Sequence, residues 1–424
     1  MNINKNQIIL GVVILSIVGG IFYLESVKVS RSGSGTSLEG GTDIDIEELV
    51  LGGLSDAEEG NSPEEGEGNE IAEVIIETSE TRGMVEPNLS KISAEERIAS
   101  KKELFEVAKE ISTPDGFINV DSITISEFIG KKIILVDFWT YSCINCQRTL
   151  PFLNSWNEKY NDKGLVILGI HTPEFEFEKD YENVLRAVEK FGVTYPVILD
   201  NDFSTWVSYR NRYWPRKYLI DIDGFIVYDH IGEGAYEETE KKIVELLNER
   251  SRVLGGEAVS QDMAQPESVD EVNFQQVRTP ELYLGSLRIQ YLANLPSQEC
   301  FEKMCEFKAS GGVALNTYEI SGTWTINPEE STLESNKGSL FIHFSANKVN
   351  LVAGVKEGNV RAEVYLDGEL VNASNSGLDV ANGIVTFSTD DLYNLVDLKG
   401  NYGEHMLEIR FLNEGIEAFA FTFG

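Results

Sequence analysis

The feature that most constrains the fold of this chain is a pair of cysteines, Cys143 and Cys146, in a C-x-x-C motif. The motif directly follows a predicted strand, Lys132–Phe138, and opens a predicted helix, Ile144–Tyr160. A helix N-terminus carries unpaired N–H groups and a partial positive charge, which favour a thiolate. The pattern therefore predicts a redox dithiol with Cys143 as the exposed, attacking sulfur and Cys146 as the resolving sulfur. The alternatives for this pair are a structural disulfide or half of a metal site.

The start of the chain bears on its compartment. Ile8–Leu24 is an uninterrupted run of apolar or small residues, at the short end of what spans a bilayer. We expect residues 1–31 to be an uncleaved membrane anchor that places the rest of the chain outside the cytoplasm, and a cleaved signal peptide is the alternative. Residues 32–92 are rich in Asp, Glu, Gly and Ser, which predicts a disordered acidic tether.

The charge of the chain excludes one class of partner. The formal net charge is −35 over 424 residues. Nucleic-acid binding requires clustered Lys and Arg that neutralise phosphates, and no such cluster is present. We therefore expect no nucleic-acid partner.

Beyond the tether, the pattern predicts two domains. Residues 93–254 alternate strands and helices and close with a hairpin and a helix, which is typical of an α/β layered sheet. Its first helix is expected to begin with a capping box at Ser93 and to run to about Ile111. Residues 255–276 are polar and pattern-poor and are predicted to be a linker. Residues 277–424 contain short, alternating, aromatic-rich runs separated by turn signals, and this spacing predicts a β-sandwich.

Several motifs accompany the dithiol. Asp137 lies on the strand before it, and Pro215 lies in Y-W-P-R-K-Y-L-I-D, just before the predicted hairpin. With these residues in register, the chain resembles the thioredoxin-fold family, specifically the membrane-anchored TlpA/ResA-type thiol–disulfide oxidoreductases. It is most similar to their DipZ-type branch through W-T-Y-S-C-I-N-C from Trp139, H-T-P-E-F from His171, R-T-P-E-L-Y-L-G from Arg278 and the closing A-F-T-F-G.

The resemblance implies a thioredoxin-like domain followed by an all-β domain of the carbohydrate-binding-module type. It implies that Asp137 is a buried carboxylate that accepts the proton of Cys146 and that Pro215 is a cis-proline beside the dithiol. The alternatives are a surface strand residue for Asp137 and an ordinary loop proline at 215. The aromatic residues that flank these positions are predicted to contact the substrate: Trp139, Tyr141 and Trp214.

Cys300 and Cys305 form a second close pair, in the segment expected to join the domains. Residues at this spacing do not face each other on a helix, so a local disulfide requires a turn or loop. We predict a structural disulfide in an oxidising compartment, with a secondary redox pair as the alternative. The four histidines are dispersed, and no metal site is predicted. Glu174 is expected near the rim of the active site.

The leading hypothesis is an anchored enzyme that reduces or exchanges disulfides in exported proteins, with the redox-active Cys143–Cys146 disulfide and no other cofactor. By resemblance, apocytochrome c is a candidate substrate (cytochrome c maturation), and a separate membrane protein of the CcdA/DsbD type is the electron donor. The alternatives are a thiol peroxidase and a non-enzymatic glycan- or protein-binding module with Tyr318 and Trp324 as an aromatic platform. The Ile-Asn dipeptide between the cysteines leaves the direction of electron flow open.

Overall fold

The computed structural model describes residues 93–266 and 269–424. Within these ranges an α/β domain is followed by an all-β domain, as the sequence predicts. The predicted anchor and tether, residues 1–92, lie outside the described residues. In the described ranges, none of the helices has both the length and the apolar character needed to cross a membrane.

The α/β domain is built on one mixed sheet. Its helices are α1 (Ala94–Lys102), α2 (Ile144–Tyr160), α3 (Tyr181–Lys190), α4 (Ser204–Ser208) and α5 (Tyr236–Leu254). Its strands are β1 (Gly116–Ile118), β2 (Ile133–Trp139), β3 (Leu165–His171), β4 (Val197–Leu199), β5 (Arg216–Ile220) and β6 (Ile226–Ile231). The strand order is β1-β4-β3-β2-β5-β6, with β2, β3 and β4 parallel and the others antiparallel to their neighbours. Strands β2 and β3 are buried along their whole length, as expected for strands covered on both faces.

The first helix is shorter than predicted. The capping box at Ser93 is present, but α1 ends at Lys102 and not near Ile111. The chain beyond it instead makes backbone hydrogen bonds to the β5–β6 hairpin, from Ala108 N–H to Gly224 and from Ile226 N–H to Glu106. These hydrogen bonds to a distant segment take the place of the hydrogen bonds that a longer helix would make. The amphipathic pattern of the sequence does not reveal such long-range pairing.

The all-β domain forms a single hydrogen-bonded sheet. Its strands are β7 (Leu282–Tyr283), β8 (Met304–Phe307), β9 (Thr317–Ile326), β10 (Ser331–Leu333), β11 (Gly338–Ala346), β12 (Lys348–Val355), β13 (Val360–Leu366), β14 (Glu369–Leu370), β15 (Val380–Ala381), β16 (Ile384–Phe387), β17 (Asp391–Asp397), β18 (Gly403–Phe411) and β19 (Ile416–Phe423). The main path through the sheet runs β15-β16-β13-β18-β11-β9-β10-β19-β12-β17.

Strand β9 connects the two halves of this sheet. Its first half pairs with β11, and its second half pairs with β8 and β10. The change of partner occurs at Gly322, which has a φ of +106° and whose added Cβ would lie 2.7 Å from the carbonyl oxygen of Lys337. Only glycine fits this backbone without strain. The two halves enclose one apolar core, so the all-β prediction is confirmed.

The proposed aromatic platform is not present at the residues named for it. Tyr318 and Trp324 are both buried in the core of the all-β domain. The Tyr318 hydroxyl donates to the carbonyl of Tyr283 (3.0 Å), and the Trp324 indole N–H donates to that of Ser321 (2.8 Å). Because their polar groups are satisfied internally, these aromatics stabilise the fold and cannot bind a ligand.

The all-β domain packs directly against the dithiol side of the α/β domain. Ile144, which follows Cys143, shares an apolar cluster with Phe175 and with Phe419 of β19. The ring centroids of Phe175 and Phe419 are 5.1 Å apart. The surroundings of the dithiol therefore include the second domain as well as the first.

Candidate active site

The two cysteines of the motif lie in different environments. Cys143 is the N-cap of α2 and is partly exposed, whereas Cys146 is buried one turn later. The Cys146 N–H donates to the Cys143 sulfur (3.3 Å), which places the positive end of the helix against that atom. Burial, and secondly the neighbouring Cys143, raise the pKa of the Cys146 thiol. Cys143 can therefore meet a substrate, while Cys146 needs a base before it can react.

A buried carboxylate and a buried amine lie beneath the dithiol. Asp137 on β2 is directly opposite Lys217 on β5, and their exposed fractions are 1% and 0%. Burial raises the pKa of Asp137 to about 7, and the charge of Lys217 opposes this rise. Asp137 Oδ1 has no hydrogen-bond partner in the described part of the chain. Asp137 is thus poised to take up a proton near neutral pH.

Lys217 was not predicted from the sequence. Its Nζ donates to the carbonyl of Gly232 (3.0 Å), and burial lowers its pKa while Asp137 raises it. The available signal was a lysine two residues after Pro215, followed by three apolar or aromatic residues of the same strand. Only the antiparallel register of β2 and β5 shows that it faces Asp137.

The loop before β5 covers the dithiol. The peptide bond between Trp214 and Pro215 is cis, as the resemblance implies. The Trp214 carbonyl oxygen lies 4.0 Å from the Cys143 sulfur. The Trp214 indole donates to the carbonyl of Thr172 (3.0 Å), and its ring packs against Trp206 at 4.3 Å. These contacts hold the loop against Cys143 and leave Trp214 partly exposed, where a substrate can reach it.

Two of the predicted substrate contacts are wrong. Trp139 is completely buried, with its ring edge against His171 at 5.1 Å. Tyr141 is only 2% exposed, and its hydroxyl donates to the backbone carbonyl of Asp390 in the all-β domain (3.1 Å). The motif indicates that these aromatics flank the cysteines, but their burial depends on β2 being covered and on the second domain docking.

Glu178 is a further residue that the sequence did not reveal. It is fully buried and accepts hydrogen bonds from the hydroxyl of Ser142 (2.6 Å) and from the N–H groups of Glu174 (2.5 Å) and Phe175 (3.0 Å). Burial, and secondly the charge of Glu174, raise its pKa to about 7. Glu178 thereby fixes the residue before Cys143 to the segment that follows β3.

Cys143 opens into a cleft between the two domains. The cleft has a volume of about 600 Å³, within the range of ligand-binding pockets. One wall comes from the α/β domain and the other from the all-β domain and the segment before it. Residues of the two walls include Cys143, Asn145, Glu174, Arg212 and Trp214 on one side and Arg278, Thr279, Glu281, Tyr283 and Phe423 on the other. The R-T-P-E-L motif thus lies opposite the dithiol, and Glu174 lies in the cleft as predicted.

A charged cluster supports the wall of this cleft. Glu174 accepts from Arg288 (2.7 Å) and contacts the Tyr283 hydroxyl (2.9 Å), which also lies 2.9 Å from Glu281. The protein around the cleft limits the hydration of Glu281, and together with neighbouring Glu174 this raises its pKa to about 7. The Tyr283 hydroxyl lies within donating distance of both carboxylates and links Glu174 to Glu281 in this wall.

The second cysteine pair lies away from the cleft. Cys300 ends a short 3-10 helix (Gln298–Cys300), Cys305 lies on β8, and the two form a disulfide with Cα atoms 5.7 Å apart. The disulfide spans a turn, as predicted. It belongs to the all-β domain and not to a segment that joins the domains, because β8 pairs with β9.

One set of carboxylates among the described residues is close enough to hold a metal ion: Asp221, Asp223 and Glu249. The Lys101 ammonium already lies 2.5 to 2.9 Å from all three. This set is therefore a partly buried ion-pair network that fixes α1 to the hairpin. His171 is fully buried, and burial lowers its pKa to about 3, so it is neutral.

Comparisons with known proteins agree with this geometry. Residues 110–247 match the Redoxin family, and residues 279–424 match the family described as thioredoxin like C-terminal domain. The chain therefore carries a Redoxin domain followed by a thioredoxin like C-terminal domain.

The chain is also similar to known proteins over different shares of their length. It is 31% identical to protein DipZ of Mycobacterium bovis over 331 residues, which are 77% of this chain and 44% of that protein. It is 28% identical to the thiol-disulfide oxidoreductase YkuV of Bacillus subtilis over 140 residues, 33% of this chain and 93% of that protein. It is 28% identical to the thiol-disulfide oxidoreductase ResA of Bacillus cereus over 146 residues, 34% of this chain and 79% of that protein. The chain thus spans less than half of the length of DipZ.

Proposed function

We propose that this protein catalyses thiol–disulfide exchange, with Cys143 as the attacking thiolate and Cys146 as the resolving thiol. The observation that carries the proposal is the asymmetry of the pair. Cys143 caps a helix and opens into a cleft, whereas Cys146 is buried above Asp137. A purely structural disulfide has no need of an accessible sulfur or of a buried carboxylate.

In the first step, the Cys143 thiolate attacks one sulfur of a substrate disulfide. A mixed disulfide forms, the substrate S–S bond breaks, and the second substrate sulfur leaves as a thiolate that takes a proton from solvent. In the second step, the Cys146 sulfur attacks Cys143, which releases the first substrate sulfur. Two electrons have then passed from the protein dithiol to the substrate, and a Cys143–Cys146 disulfide remains.

Asp137 acts in the second step. Because burial raises the pKa of the Cys146 thiol, its proton must be removed before it can attack. Asp137, whose pKa is raised to about 7, accepts this proton in its ionised form. Lys217 stabilises that ionised form from the neighbouring strand. Asp137 is therefore a catalytic residue of the resolving step, and Lys217 is a positioning residue that acts through Asp137. Neither residue takes part in the first attack.

We further propose that the enzyme is anchored through Ile8–Leu24 and acts outside the cytoplasm on exported proteins, with apocytochrome c as a candidate. The apolar run and the Cys300–Cys305 disulfide, which fits an oxidising compartment, support this location. Regeneration of the dithiol then requires two electrons from a membrane thiol–disulfide donor of the CcdA/DsbD type. Similarity to the thiol-disulfide oxidoreductases YkuV and ResA supports the exchange reaction itself.

The test is to trap the first intermediate. The full chain carrying Cys146→Ser is reduced, freed of reductant and mixed with a disulfide-linked peptide. We expect a stable adduct of one peptide on Cys143, identified by mass spectrometry of the digest. The matched control is Cys143→Ser, which should form none. An adduct on Cys146 in the control at the same rate, or no adduct in either variant, would refute the proposal.

A further inference from the structure

Two arginines face the cleft from opposite walls. Arg212 lies in the loop just before the cis-proline, and Arg278 opens the R-T-P-E-L motif of the other wall. Both side chains are exposed, and neither makes a hydrogen bond or an ion pair within the described ranges. By contrast, Arg148, which lies on α2, is bound by Glu233 at 2.6 Å. The cleft therefore holds two cationic groups that are available to a ligand.

The remaining charges of the cleft do not cancel these arginines. The carboxylate of Glu174 is neutralised by the guanidinium of Arg288, and the two groups are 2.7 Å apart. Glu281, whose carboxylate lies 2.9 Å from the Tyr283 hydroxyl, is then one acidic group of the cleft lining against two arginines. The site beside Cys143 thus has a local excess of positive charge in a chain whose net charge is −35. The field of the whole molecule repels anions, so a local cationic site is required if anionic substrates are to reach the dithiol.

We propose that the cleft binds substrates that carry carboxylate groups next to the reactive sulfur, with Arg212 and Arg278 as the carboxylate-binding residues. A guanidinium presents paired N–H donors that match a carboxylate, so each arginine can bind one acidic group. This proposal depends on the proposed exchange reaction in one respect only, which is that the ligand contains a reactive sulfur. It adds a specificity that the dithiol alone does not provide, and it gives the all-β domain a direct part in substrate recognition.

The size of the effect follows from the exposure of both side chains. A solvent-exposed ion pair changes affinity by about threefold, so we expect about a tenfold preference for an acidic ligand when both arginines act. Since such pairs are screened by salt, the preference should shrink as the ionic strength rises.

The binding test separates recognition from chemistry. The full chain carrying Cys143→Ser, which cannot exchange disulfides through that sulfur, is titrated with two fluorescent peptides that differ only in having Asp or Asn on either side of a cysteine. We expect the Asp peptide to bind about tenfold more tightly at low salt. Adding Arg212→Gln and Arg278→Gln should abolish the difference, whereas Arg361→Gln, at an exposed position of β13 outside the cleft, should preserve it. Equal binding of the two peptides, or an Asp preference that survives the double substitution, would overturn the proposal.

A second measurement identifies the source of the acidic ligand. The full chain, without the Cys143 substitution, is assayed for kcat and KM with the disulfide form of the Asp peptide and with glutathione disulfide, and a dithiol reductant supplies the two electrons that restore Cys143 and Cys146 after each turnover. If the double substitution Arg212→Gln and Arg278→Gln raises the KM for glutathione disulfide as well as for the peptide, small anionic disulfides are substrates. If it raises the KM for the peptide only, the ligand is an acidic protein segment. Arginine-dependent binding without any disulfide exchange would refute the proposed function but support this inference.

Discussion

The dithiol Cys143–Cys146 lies at the start of a helix, whereas the disulfide Cys300–Cys305 closes a turn between a short 3-10 helix and a strand. The first pair has a buried carboxylate below it and a cleft in front of it. In the described part of the chain, neither this cleft nor a buried carboxylate adjoins the second pair, and Cys300 is buried in the core of the all-β domain. Close spacing of two cysteines is therefore common to both regions, and what differs is access for a substrate and for a proton.

The largest expected effect separates the two pairs by activity. Cys143→Ser should abolish reduction of a disulfide peptide, because the attacking sulfur is lost. The double substitution Cys300→Ser and Cys305→Ser should leave the rate per folded molecule unchanged. Initial rates with a dithiol reductant as electron source provide the measurement. Loss of activity in the double variant at a temperature where it is folded would show that the second pair takes part in electron transfer.

That double variant should instead lose stability. Opening so short a disulfide loop is expected to lower the free energy of unfolding by about 2 kcal/mol. Denaturant unfolding of the full chain, compared with and without the substitutions, measures this loss. An unchanged midpoint would argue against a structural role for Cys300–Cys305.

Asp137→Asn is expected to have the next largest effect. In the wild type, the rate should rise as the pH passes through about 7, because Asp137 must be ionised to accept the proton of Cys146. The substitution should lower the rate by about a hundredfold and remove this rise, since a base catalyst of this kind contributes at least about that factor. Steady-state rates between about pH 5.5 and 9 test the prediction, in a range around that pKa.

The exposed residue Asp121 provides the matched control for that experiment. Asp121→Asn should keep both the rate and the pH profile. A wild-type profile that falls as the pH rises through neutrality would be incompatible with Asp137 as the base.

Lys217→Met should shift the profile without abolishing it. Its positive charge opposes the rise in the pKa of Asp137, so its removal should move the pKa further up, by about one unit or more. At neutral pH the rate should therefore fall, and it should recover at higher pH. Lys217→Arg, which keeps the charge, should stay close to the wild type. A shift to lower pH after Lys217→Met would contradict the assigned pairing.

The smallest expected effect concerns the contact between the domains. Tyr141→Phe removes the hydrogen bond from the Tyr141 hydroxyl to Asp390 and should lower the free energy of unfolding by about 1 kcal/mol. Tyr365→Phe, which removes a hydrogen bond to Glu363 within one strand, is the matched control on a partly exposed tyrosine. Equal unfolding curves for the two variants would show that the Tyr141 contact does not fasten the domains.

The same two regions show what can be predicted from a sequence of this kind. Helix α2 occurs at the predicted residues, and strand β2 begins and ends one residue later than predicted, because strong local patterns determine both. The family resemblance of the motif implied the buried carboxylate of Asp137. The opposite wall of the cleft could not be predicted, because it depends on how a domain far along the chain docks. For the same reason Tyr141 was assigned to the substrate although it contacts Asp390.

The most direct test of this account is to measure the reduction potentials of both pairs in one experiment. The full chain is equilibrated in buffers of graded thiol–disulfide potential, alkylated and digested, and the redox state of each pair is read by mass spectrometry. We predict a potential near about −270 mV for Cys143–Cys146, as in thioredoxin, and one below about −300 mV for Cys300–Cys305, as in structural disulfides. A Cys143–Cys146 potential near about −120 mV would mean that the protein oxidises its substrates. A Cys300–Cys305 pair that is reduced more readily than Cys143–Cys146 would reverse the roles assigned to the two regions.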